Sequence, residues 1–298
     1  MTPSNENELT QAVLERLSSA KDPRFAQIMQ SLITHLHAFI REVDLQPDEW
    51  MNSIEFLTAV GQTCTDKRQE FILLSDTLGA SMMVVMLDQA RAKSRAALGA
   101  NAATEATEAT VQGPYYWAGA PDLPLGANIA EGVLGEPTFY SGRITDTAGQ
   151  PLQGALLDIW SGDGEGNYDM QLEGSEMAAR ARIRTDAQGR YWYWSIRPTA
   201  YPVPVDGPVG RMLEGMGRHP NRPGHIHMMV SAPGYVPVTT HLFVANSPYI
   251  DSDAVFGVRP SLIVEYESHP AGTAADGRML DVPYWSAHYD FCLETQAT

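Results

Sequence analysis

The stretch Arg222-Pro-Gly-His-Ile-His-Met-Met-Val-Ser231 reads as the start of a β-strand, and a proline–glycine turn then leads to a second strand-like run, Val238–Val244. Successive side chains of a strand point to opposite faces, so His225 and His227 fall on the same face. Neutral imidazole is the most common side-chain metal ligand, and two on one face supply half of a coordination sphere. The stretch therefore predicts a strand that carries a metal site. Histidines at the surface, or hydrogen-bonded inside a core, remain open alternatives.

Short strand-like runs of the same kind occur on the N-terminal side of this stretch, separated by Asp-x-x-Gly turns at Asp146–Gly149 and Asp186–Gly189. Runs of this length at nearly regular spacing are typical of an antiparallel sandwich or barrel. The predicted strands are Thr138–Thr145, Ala155–Trp160, Ala181–Thr185 and Tyr191–Ile196.

The first hundred residues have a different pattern. Asp22-Pro23 is a good N-cap and first-turn pair, and apolar residues then recur at three-four spacing from Phe25 to Val43, as in an amphipathic helix. Residues 101–110 are small and polar and resemble a joint. We therefore predict an α+β, mainly β chain: a helical domain over residues 1–105 and a β-sandwich domain over residues 106–298.

Composition narrows the class of protein. The chain has 298 residues, 44% of them hydrophobic, and a net charge of −16, which disfavours nucleic acid as a partner. No apolar run approaches the roughly 18 residues of a membrane helix, and the N-terminus has no secretory signal pattern. We therefore expect a cytoplasmic protein with no membrane partner, in which Cys64 and Cys292 are free thiols.

Further metal ligands are needed beside two histidines, and tyrosines lie in loops that follow predicted strands. Tyr168 follows a glycine-rich loop, and Tyr201 precedes a proline, which restricts its backbone to extended conformations. The chain has 12 tyrosines, and most tyrosines pack in cores with a hydrogen-bonded hydroxyl. From the residues alone, each of the two remains either a ligand or a packing residue.

Four separated elements, taken in order, resemble the intradiol ring-cleaving dioxygenases: Gly113–Pro121, Gly166–Tyr168, Tyr201-Pro202 and Gly217–His227. The resemblance covers nearly the whole chain. Within that family the chain is most similar to the hydroxyquinol-cleaving branch, through the segments Gln69–Gly79, Tyr201–Gly210 and Asp251–Val258.

The resemblance implies one ferric ion per subunit, bound by two tyrosinates and two histidines. By position these ligands are Tyr168, Tyr201, His225 and His227. The chemistry agrees, because Fe(III) is a hard, highly charged ion, and its charge lowers the pKa of a phenol from about 10 so that it binds ionised at neutral pH.

The resemblance also implies a reaction. An ortho-diol loses two protons and chelates Fe(III) as its dianion. Tyr201 is displaced and takes one proton, and bound hydroxide takes the other. Arg222 stabilises negative charge that develops on the ring. Both atoms of O2 enter the product through a cyclic anhydride, and cleavage falls between the two hydroxylated carbons. From hydroxyquinol the product is 3-hydroxymuconate, the enol form of maleylacetate.

The same positional match implies the walls of the substrate pocket. Asp76 is the polar member, and its carboxylate could accept a hydrogen bond from the third hydroxyl of hydroxyquinol, which catechol lacks. A helix-surface aspartate is the alternative interpretation. The full set of expected wall residues is Leu73, Asp76, Val111, Gly113, Pro114, Tyr115, Val203, Pro204 and Val255.

For the helical region, the resemblance implies a homodimer interface with a bound phospholipid as a candidate occupant. The apolar stripe Phe25–Val43 is compatible with that role, and an ordinary intramolecular core would produce the same stripe. Three competing interpretations of the whole chain remain. They are a catechol or chlorocatechol dioxygenase, a zinc or copper β-sandwich enzyme using His225 and His227, and a metal-free binding module.

Overall fold

The computed structural model describes residues 3–99, 104–172 and 176–296, with backbone only for 95–99. The chain divides into two compact units, residues 1–59 and 60–298. Residues 101–103 of the predicted joint lie outside the described residues. The predicted division into a helical domain, residues 1–105, and a β-sandwich domain, residues 106–298, stays a prediction.

The first unit is helical. The helix Pro23–Glu42 (α2) begins as the sequence predicts: the Asp22 carboxylate accepts hydrogen bonds from the backbone N–H groups of Arg24 (2.8 Å) and Phe25 (3.3 Å), and proline occupies the first turn. The apolar side chains of this helix are largely exposed, including Phe25 at 56% and Phe39 at 52%. The helices are α1 (Glu6–Glu15), α2 (Pro23–Glu42) and α3 (Pro47–Thr63), which ends in the second unit, with a 3₁₀ turn at Arg16–Ser19.

The second unit contains α4 (Glu70–Thr77), α5 (Ala80–Gly99) and α6 (Pro208–Gly215), with 3₁₀ turns at Asp169–Gln171 and Pro260–Leu262. Helix α4 begins at Glu70, after a turn over the preceding residues. The Thr65 hydroxyl accepts hydrogen bonds from the N–H groups of Lys67 and Arg68, and these bonds hold the segment in a turn.

Within the described residues, no single helix is long and apolar enough to cross a membrane. The segments Glu70–Thr77 and Ala80–Ser94 meet that test only when they are joined across a 69° bend.

Two five-stranded sheets form the body of the second unit. The strands are β1 (Pro137–Asp146), β2 (Leu156–Trp160), β3 (Arg180–Arg184), β4 (Arg190–Ile196), β5 (Tyr201–Pro202), β6 (Asn221–Arg222), β7 (His225–Ser231), β8 (Val238–Val244), β9 (Ile263–Val264), β10 (Tyr266–His269), β11 (Gly272–Thr273), β12 (Met279–Leu280), β13 (Tyr284–His288) and β14 (Phe291–Leu293). In the first sheet, β1 pairs with β4 on one edge and with β13 and then β14 along the other, and β10 lies outside β13. The second sheet has the order β3-β2-β7-β8-β9.

An apolar core lies between the two sheets, and both contribute alternate residues to it. The first sheet supplies Tyr140, Ile144 and Phe291, and the second supplies Ile159 and Met228. The predicted fold class, helices followed by a β-sandwich, is therefore confirmed. The sandwich is not entirely antiparallel, because β13 and β14 run parallel to β1, and β9 runs parallel to β8. These strands are only two to five residues long, too short to show their direction by sequence pattern.

Candidate metal centre and substrate cavity

Strand β7 places His225 and His227 on one face, as its alternation requires. Both side chains are buried, and their Nε2 atoms lie 3.2 Å apart. Strand β7 pairs with β2 and β8, so it is an interior strand of its sheet. The two imidazoles lie in the protein interior rather than on a solvated surface.

The loop before Tyr168 is shaped by Asp163, whose carboxylate accepts from the N–H groups of Glu165 and Asn167 at 2.9 Å. Within it Gly166 has φ +89°, and a Cβ built there would lie 2.4 Å from the Cβ of Tyr201. Only glycine permits both this conformation and this approach. Tyr201 itself stands on β5, opposite Arg222 of β6. The two tyrosines are thus brought together by a loop and a short hairpin.

The four side chains predicted as ligands converge on one point. Tyr168 Oη lies 2.8 Å from His227 Nε2 and 3.2 Å from Tyr201 Oη. Tyr201 Oη lies 3.3 Å from His225 Nε2. Metal–oxygen and metal–nitrogen bonds of about 2.0–2.2 Å would separate tetrahedral donors by about 3.3–3.6 Å. Two oxygen and two nitrogen donors therefore lie close to the spacing that one ion needs.

The outer nitrogen of each histidine is also engaged. His225 Nδ1 lies 2.7 Å from the backbone oxygen of Pro223, and His227 Nδ1 lies 2.8 Å from His241 Nε2. Partners at Nδ1 fix the orientation of a ligating imidazole and direct its Nε2 toward the metal. Both predicted histidine ligands therefore have the outer contacts of metal-bound imidazoles.

Burial is the main influence on the pKa values of the four candidate ligands. Burial lowers the pKa of the His225 ring to about 3, and the adjacent Arg222 charge acts in the same direction. Burial also lowers the pKa of His227 well below its ordinary value. The pKa values of the Tyr168 and Tyr201 hydroxyls are raised, again mainly by burial. Both imidazoles are therefore neutral, and the phenols would ionise only beside a strongly positive ion.

Arg222 is buried beside this centre. Its Nη1 lies 3.0 Å from His225 Nε2, while its Nε and Nη2 face the Asp253 carboxylate. Burial is the largest single influence and acts to raise the pKa of Asp253, but the Arg222 charge, the hydrogen bonds from Arg222 and the Gly257 N–H together lower this pKa overall. The guanidinium is thus held as a fixed cation at the edge of the candidate centre.

Sequence reasoning missed several residues of this site. His241, which contacts His227, was detectable, because it lies opposite His227 in the predicted hairpin. Asp253 and the buried pair of Arg180 with Asp169 gave no local signal. Arg180 donates two 2.6 Å hydrogen bonds to Asp169, the residue after Tyr168, and a third to the backbone oxygen of Tyr115. Contacts between distant loops cannot be inferred from spacing.

Four of the predicted wall residues line one cavity of about 340 Å³, together with the charged residues Lys67, Arg68, Glu70 and Asp206. They are Leu73, Pro114, Tyr115 and Pro204. The ring of Tyr115 also stacks on that of Tyr168, with centroids 4.4 Å apart. Tyr115 therefore both lines this cavity and contacts the candidate ligand Tyr168.

The other predicted wall residues lie outside the lining of this cavity. Gly113 approaches the His227 ring, where a Cβ would come within 3.3 Å of Cε1. Val111, Val203 and Val255 are buried. Asp76 is only 2% exposed. Burial raises its pKa to about 6, and Arg222 and Asp253 both act on its charge. Asp76 is thus not a helix-surface residue but a buried acid near the guanidinium.

The histidine cluster is relevant to the alternative interpretation, a zinc or copper site made of histidines and carboxylates. Among the described residues, His225, His227 and His241 form a group whose ligand atoms lie within 4.8 Å of one another, and no carboxylate joins them. His241 is poorly placed as a ligand, because its Nε2 contacts His227 and its Nδ1 lies 2.8 Å from Thr110 Oγ1. A centre of histidines and carboxylates finds no support in this arrangement.

Comparison with known proteins gives a consistent result. Residues 111–295 match a family model described as dioxygenase, and residues 22–96 match one described as catechol dioxygenase N terminus. Hydroxyquinol 1,2-dioxygenase from Nocardioides simplex is 44% identical over 291 residues, which cover 97% of this chain and 96% of that protein. 6-chlorohydroxyquinol 1,2-dioxygenase from Cupriavidus pinatubonensis is 46% identical over 274 residues, covering 92% and 95%.

The structural comparison agrees. The crystal structure of hydroxyquinol 1,2-dioxygenase from Pseudomonas putida DLL-E4 superposes with a TM-score of 0.85 at 43% identity, covering 98% of this chain and 99% of that one.

Proposed function

Since this chain belongs to the family of intradiol ring-cleaving dioxygenases, we propose that it is an enzyme that inserts both atoms of O2 into hydroxyquinol (1,2,4-trihydroxybenzene). The bond between the two adjacent hydroxylated carbons breaks, each carbon gains one oxygen atom, and the product is 3-hydroxymuconate, the enol form of maleylacetate. One observation carries the proposal: the buried convergence of two tyrosines and two histidines beside Arg222.

The proposed cofactor is one ferric ion per subunit, held by Tyr168, Tyr201, His225 and His227. The donor set supports this assignment, because phenolate oxygen is hard and anionic and favours the ferric over the ferrous state. When bound, Fe(III) supplies a Lewis-acidic centre for the diol and makes the ring reactive toward O2. The neutral imidazoles would bind the ion through their lone pairs, and the charge of the ion would stabilise the ionised form of the buried phenols.

Two side chains have proposed catalytic roles. Tyr201 Oη takes a proton from a substrate hydroxyl, and burial, which raises the pKa of this phenol, makes its ionised form a strong base. Arg222 Nη1, 3.0 Å from His225 Nε2, presents a positive charge to negative charge that develops on the ring. The Asp253 carboxylate holds this guanidinium in place.

The preference for hydroxyquinol is assigned to Asp76. Its carboxylate is buried, lies on the same helix as Leu73, and interacts electrostatically with Arg222. We propose that it accepts a hydrogen bond from the third hydroxyl of hydroxyquinol. The Ser81 side chain also hydrogen-bonds to this carboxylate. With catechol, the acceptor position proposed for the third hydroxyl would remain buried and unfilled, which costs about 1–3 kcal/mol.

The remaining wall residues are proposed to hold the ring in place by shape. The cavity lined by Leu73, Pro114, Tyr115 and Pro204 supports part of this set. Val111, Gly113, Val203 and Val255 complete the proposed wall, and Gly113 supports the assignment because it borders the His227 ring.

For the assembly, we propose a homodimer formed through the N-terminal helices, with a phospholipid as a candidate occupant of the apolar interface. The exposed side chains of α2, among them Phe25, Leu32 and Phe39, support this role. In this proposal residues 1–105 serve dimerisation and residues 106–298 serve catalysis. We also propose a cytoplasmic location, with no nucleic-acid or membrane partner, in accord with the net charge of −16.

The deciding experiment is the visible absorption spectrum of the iron-loaded protein, recorded before and after hydroxyquinol is added without oxygen. A broad tyrosinate-to-Fe(III) charge-transfer band that shifts with the diol is expected. Oxygen should then produce 3-hydroxymuconate, with catechol and 4-chlorocatechol as comparison substrates. Metal analysis tests the zinc and copper alternatives, and ligand binding that survives His225→Ala would favour a binding module. A protein that stays colourless after ferric reconstitution would refute the proposal.

A further inference from the structure

Three buried side chains form a hydrogen-bonded row behind the proposed ligand His227. His227 Nδ1 lies 2.8 Å from His241 Nε2, and His241 Nδ1 lies 2.8 Å from Thr110 Oγ1. None of the three is more than 2% exposed. The pairing of β7 with β8 sets His227 opposite His241, and the Thr110 N–H donates to the backbone oxygen of Thr239. The row is therefore fixed by the sheet, in a place that water does not reach.

The neighbouring His225 needs no such row, because its own contacts determine where its proton lies. Arg222 Nη1 can only donate, so His225 Nε2 accepts from it at 3.0 Å. The backbone oxygen of Pro223 can only accept, so His225 Nδ1 carries the proton. His225 Nε2 therefore carries a lone pair and no proton, which is the tautomer that a metal ligand at this nitrogen needs.

His227 is different, because the next two members of the row, His241 and Thr110, can each donate or accept a hydrogen bond. If the Thr110 hydroxyl donated to His241 Nδ1, then His241 Nε2 would donate to His227 Nδ1. The proton of His227 would lie on Nε2 and would block the atom that points toward Tyr168 and the centre. In the reverse direction, His227 Nδ1–H donates to His241 Nε2, and His227 Nε2 carries no proton. The direction of the row thus decides whether His227 can bind a metal.

We propose that His241 and Thr110 are positioning residues that keep the proton of His227 on Nδ1. His227 Nδ1–H donates to His241 Nε2, and His241 Nδ1–H donates to Thr110 Oγ1. The proposed ferric site requires this direction, because only then does His227 Nε2, 2.8 Å from the Tyr168 hydroxyl, carry a lone pair instead of a proton.

The inference rests on the proposed ferric site and adds a way to tune it. A ligating imidazole whose Nδ1–H is hydrogen-bonded is a stronger electron donor than one without a partner, and loss of such a partner typically lowers metal affinity 10–100-fold. The row should therefore stabilise the ferric state as well as orient the ring.

Four variants test the row. His241→Leu removes the acceptor, whereas His241→Gln keeps an amide oxygen for His227 and an amide N–H for Thr110. Thr110→Val removes the hydroxyl at nearly constant volume, and Thr110→Ser keeps it. The measurements are iron retention against a chelator and the reduction midpoint potential of the iron-loaded protein, with circular dichroism as the check on folding. Neither readout depends on turnover.

We expect the Leu and Val variants to lose iron affinity about 10–100-fold and to have a raised midpoint potential, while Gln and Ser stay within about twofold of the parent. If Leu and Gln behave alike, or Val and Ser behave alike, His241 and Thr110 only fill space and the inference is wrong. Should His241→Leu fail to fold, the Thr110 pair decides alone.

A separate measurement distinguishes this inference from the proposed function. If the parent protein holds no ferric iron, the proposed function fails. The row is then decided in the metal-free protein by ¹⁵N NMR of labelled histidine. Protons on Nδ1 of both His227 and His241 support the row, and a proton on Nε2 of His241 overturns it.

Discussion

Arg222 and Asp253 form a buried two-point ion pair at the edge of the candidate centre. Nε of Arg222 lies 2.9 Å from Oδ1 of Asp253, and Nη2 lies 3.2 Å from Oδ2. The side chains are 3% and 2% exposed. The carboxylate also accepts from the N–H of Gly257 at 2.9 Å. A guanidinium held in this way keeps both its charge and its direction.

Replacement of Asp253 by Asn should therefore leave a buried cation without its partner. We expect Asp253→Asn to lower the free energy of unfolding by about 3–5 kcal/mol, measured by urea titration. The control is Glu136→Gln. The Glu136 side chain is 61% exposed and pairs with Arg197, so its replacement should lower the free energy of unfolding by less than about 1 kcal/mol. Equal effects of the two changes would show that the buried pair is not a special feature.

Substrate preference gives a second prediction, which concerns Asp76. Asp76→Ala should reduce kcat/KM for hydroxyquinol about 10–100-fold more than it reduces kcat/KM for catechol, because only hydroxyquinol has the third hydroxyl. Both constants are measured by steady-state oxygen uptake. Equal losses for the two diols would remove Asp76 from the proposed specificity.

The pKa of Asp76 gives a third prediction. Burial raises this pKa from its ordinary value to about 6, so between about pH 4 and 6 the folded state binds more protons than the unfolded state. Stability should fall as pH rises through that window and stay constant above it. Asp76→Asn, which cannot ionise, should be about 2–3 kcal/mol more stable than the parent near pH 7. The advantage should vanish near pH 4, and a pH-independent difference would contradict the assignment.

Two adjacent tyrosines give a fourth prediction. The Tyr115 hydroxyl is buried and has no hydrogen-bond partner among the described residues, whereas the Tyr116 hydroxyl donates to Asp158 at 3.1 Å. Tyr115→Phe should leave the thermal midpoint unchanged or raise it, because an unpaired buried hydroxyl is unfavourable. Tyr116→Phe should lower the thermal midpoint, because it removes a hydrogen bond that contributes about 1–2 kcal/mol to the free energy of unfolding. The reverse ranking would show that Tyr115 has a partner after all.

The close approach of Gly166 to Tyr201 gives a fifth prediction. Gly166→Ala would place a Cβ 2.4 Å from that of Tyr201, so the tyrosine loop must move. We expect a loss of more than about 3 kcal/mol in unfolding free energy and weaker iron binding. Gly149→Ala is the matched control, since Gly149 also has a positive φ of +79° but nothing within 4 Å, and strain alone costs about 1–2 kcal/mol. A similar cost for both glycines would exclude the contact as the cause.

Much of the fold could be predicted because its signals are local. The cap at Asp22-Pro23, the alternation in β7 and β8 and the Asp-x-x-Gly turns depend only on neighbouring residues. The parallel edges were not predicted. β13 and β14 are short, and their direction depends on pairing with β1, more than a hundred residues earlier in the chain.

For the candidate site, the sequence by itself determined that His225 and His227 lie on one strand face, and it set the order of the proposed donors along the chain: Tyr168, Tyr201, His225 and His227. It also determined that an arginine precedes the histidines. Only the tertiary structure decided that Asp253 pairs with Arg222, that His241 and Thr110 stand behind His227, and that Asp76 is buried. The physical reason is that strand alternation is a property of the local backbone. The desolvation of a charge and the partner of a ring nitrogen depend instead on which distant segments pack against them.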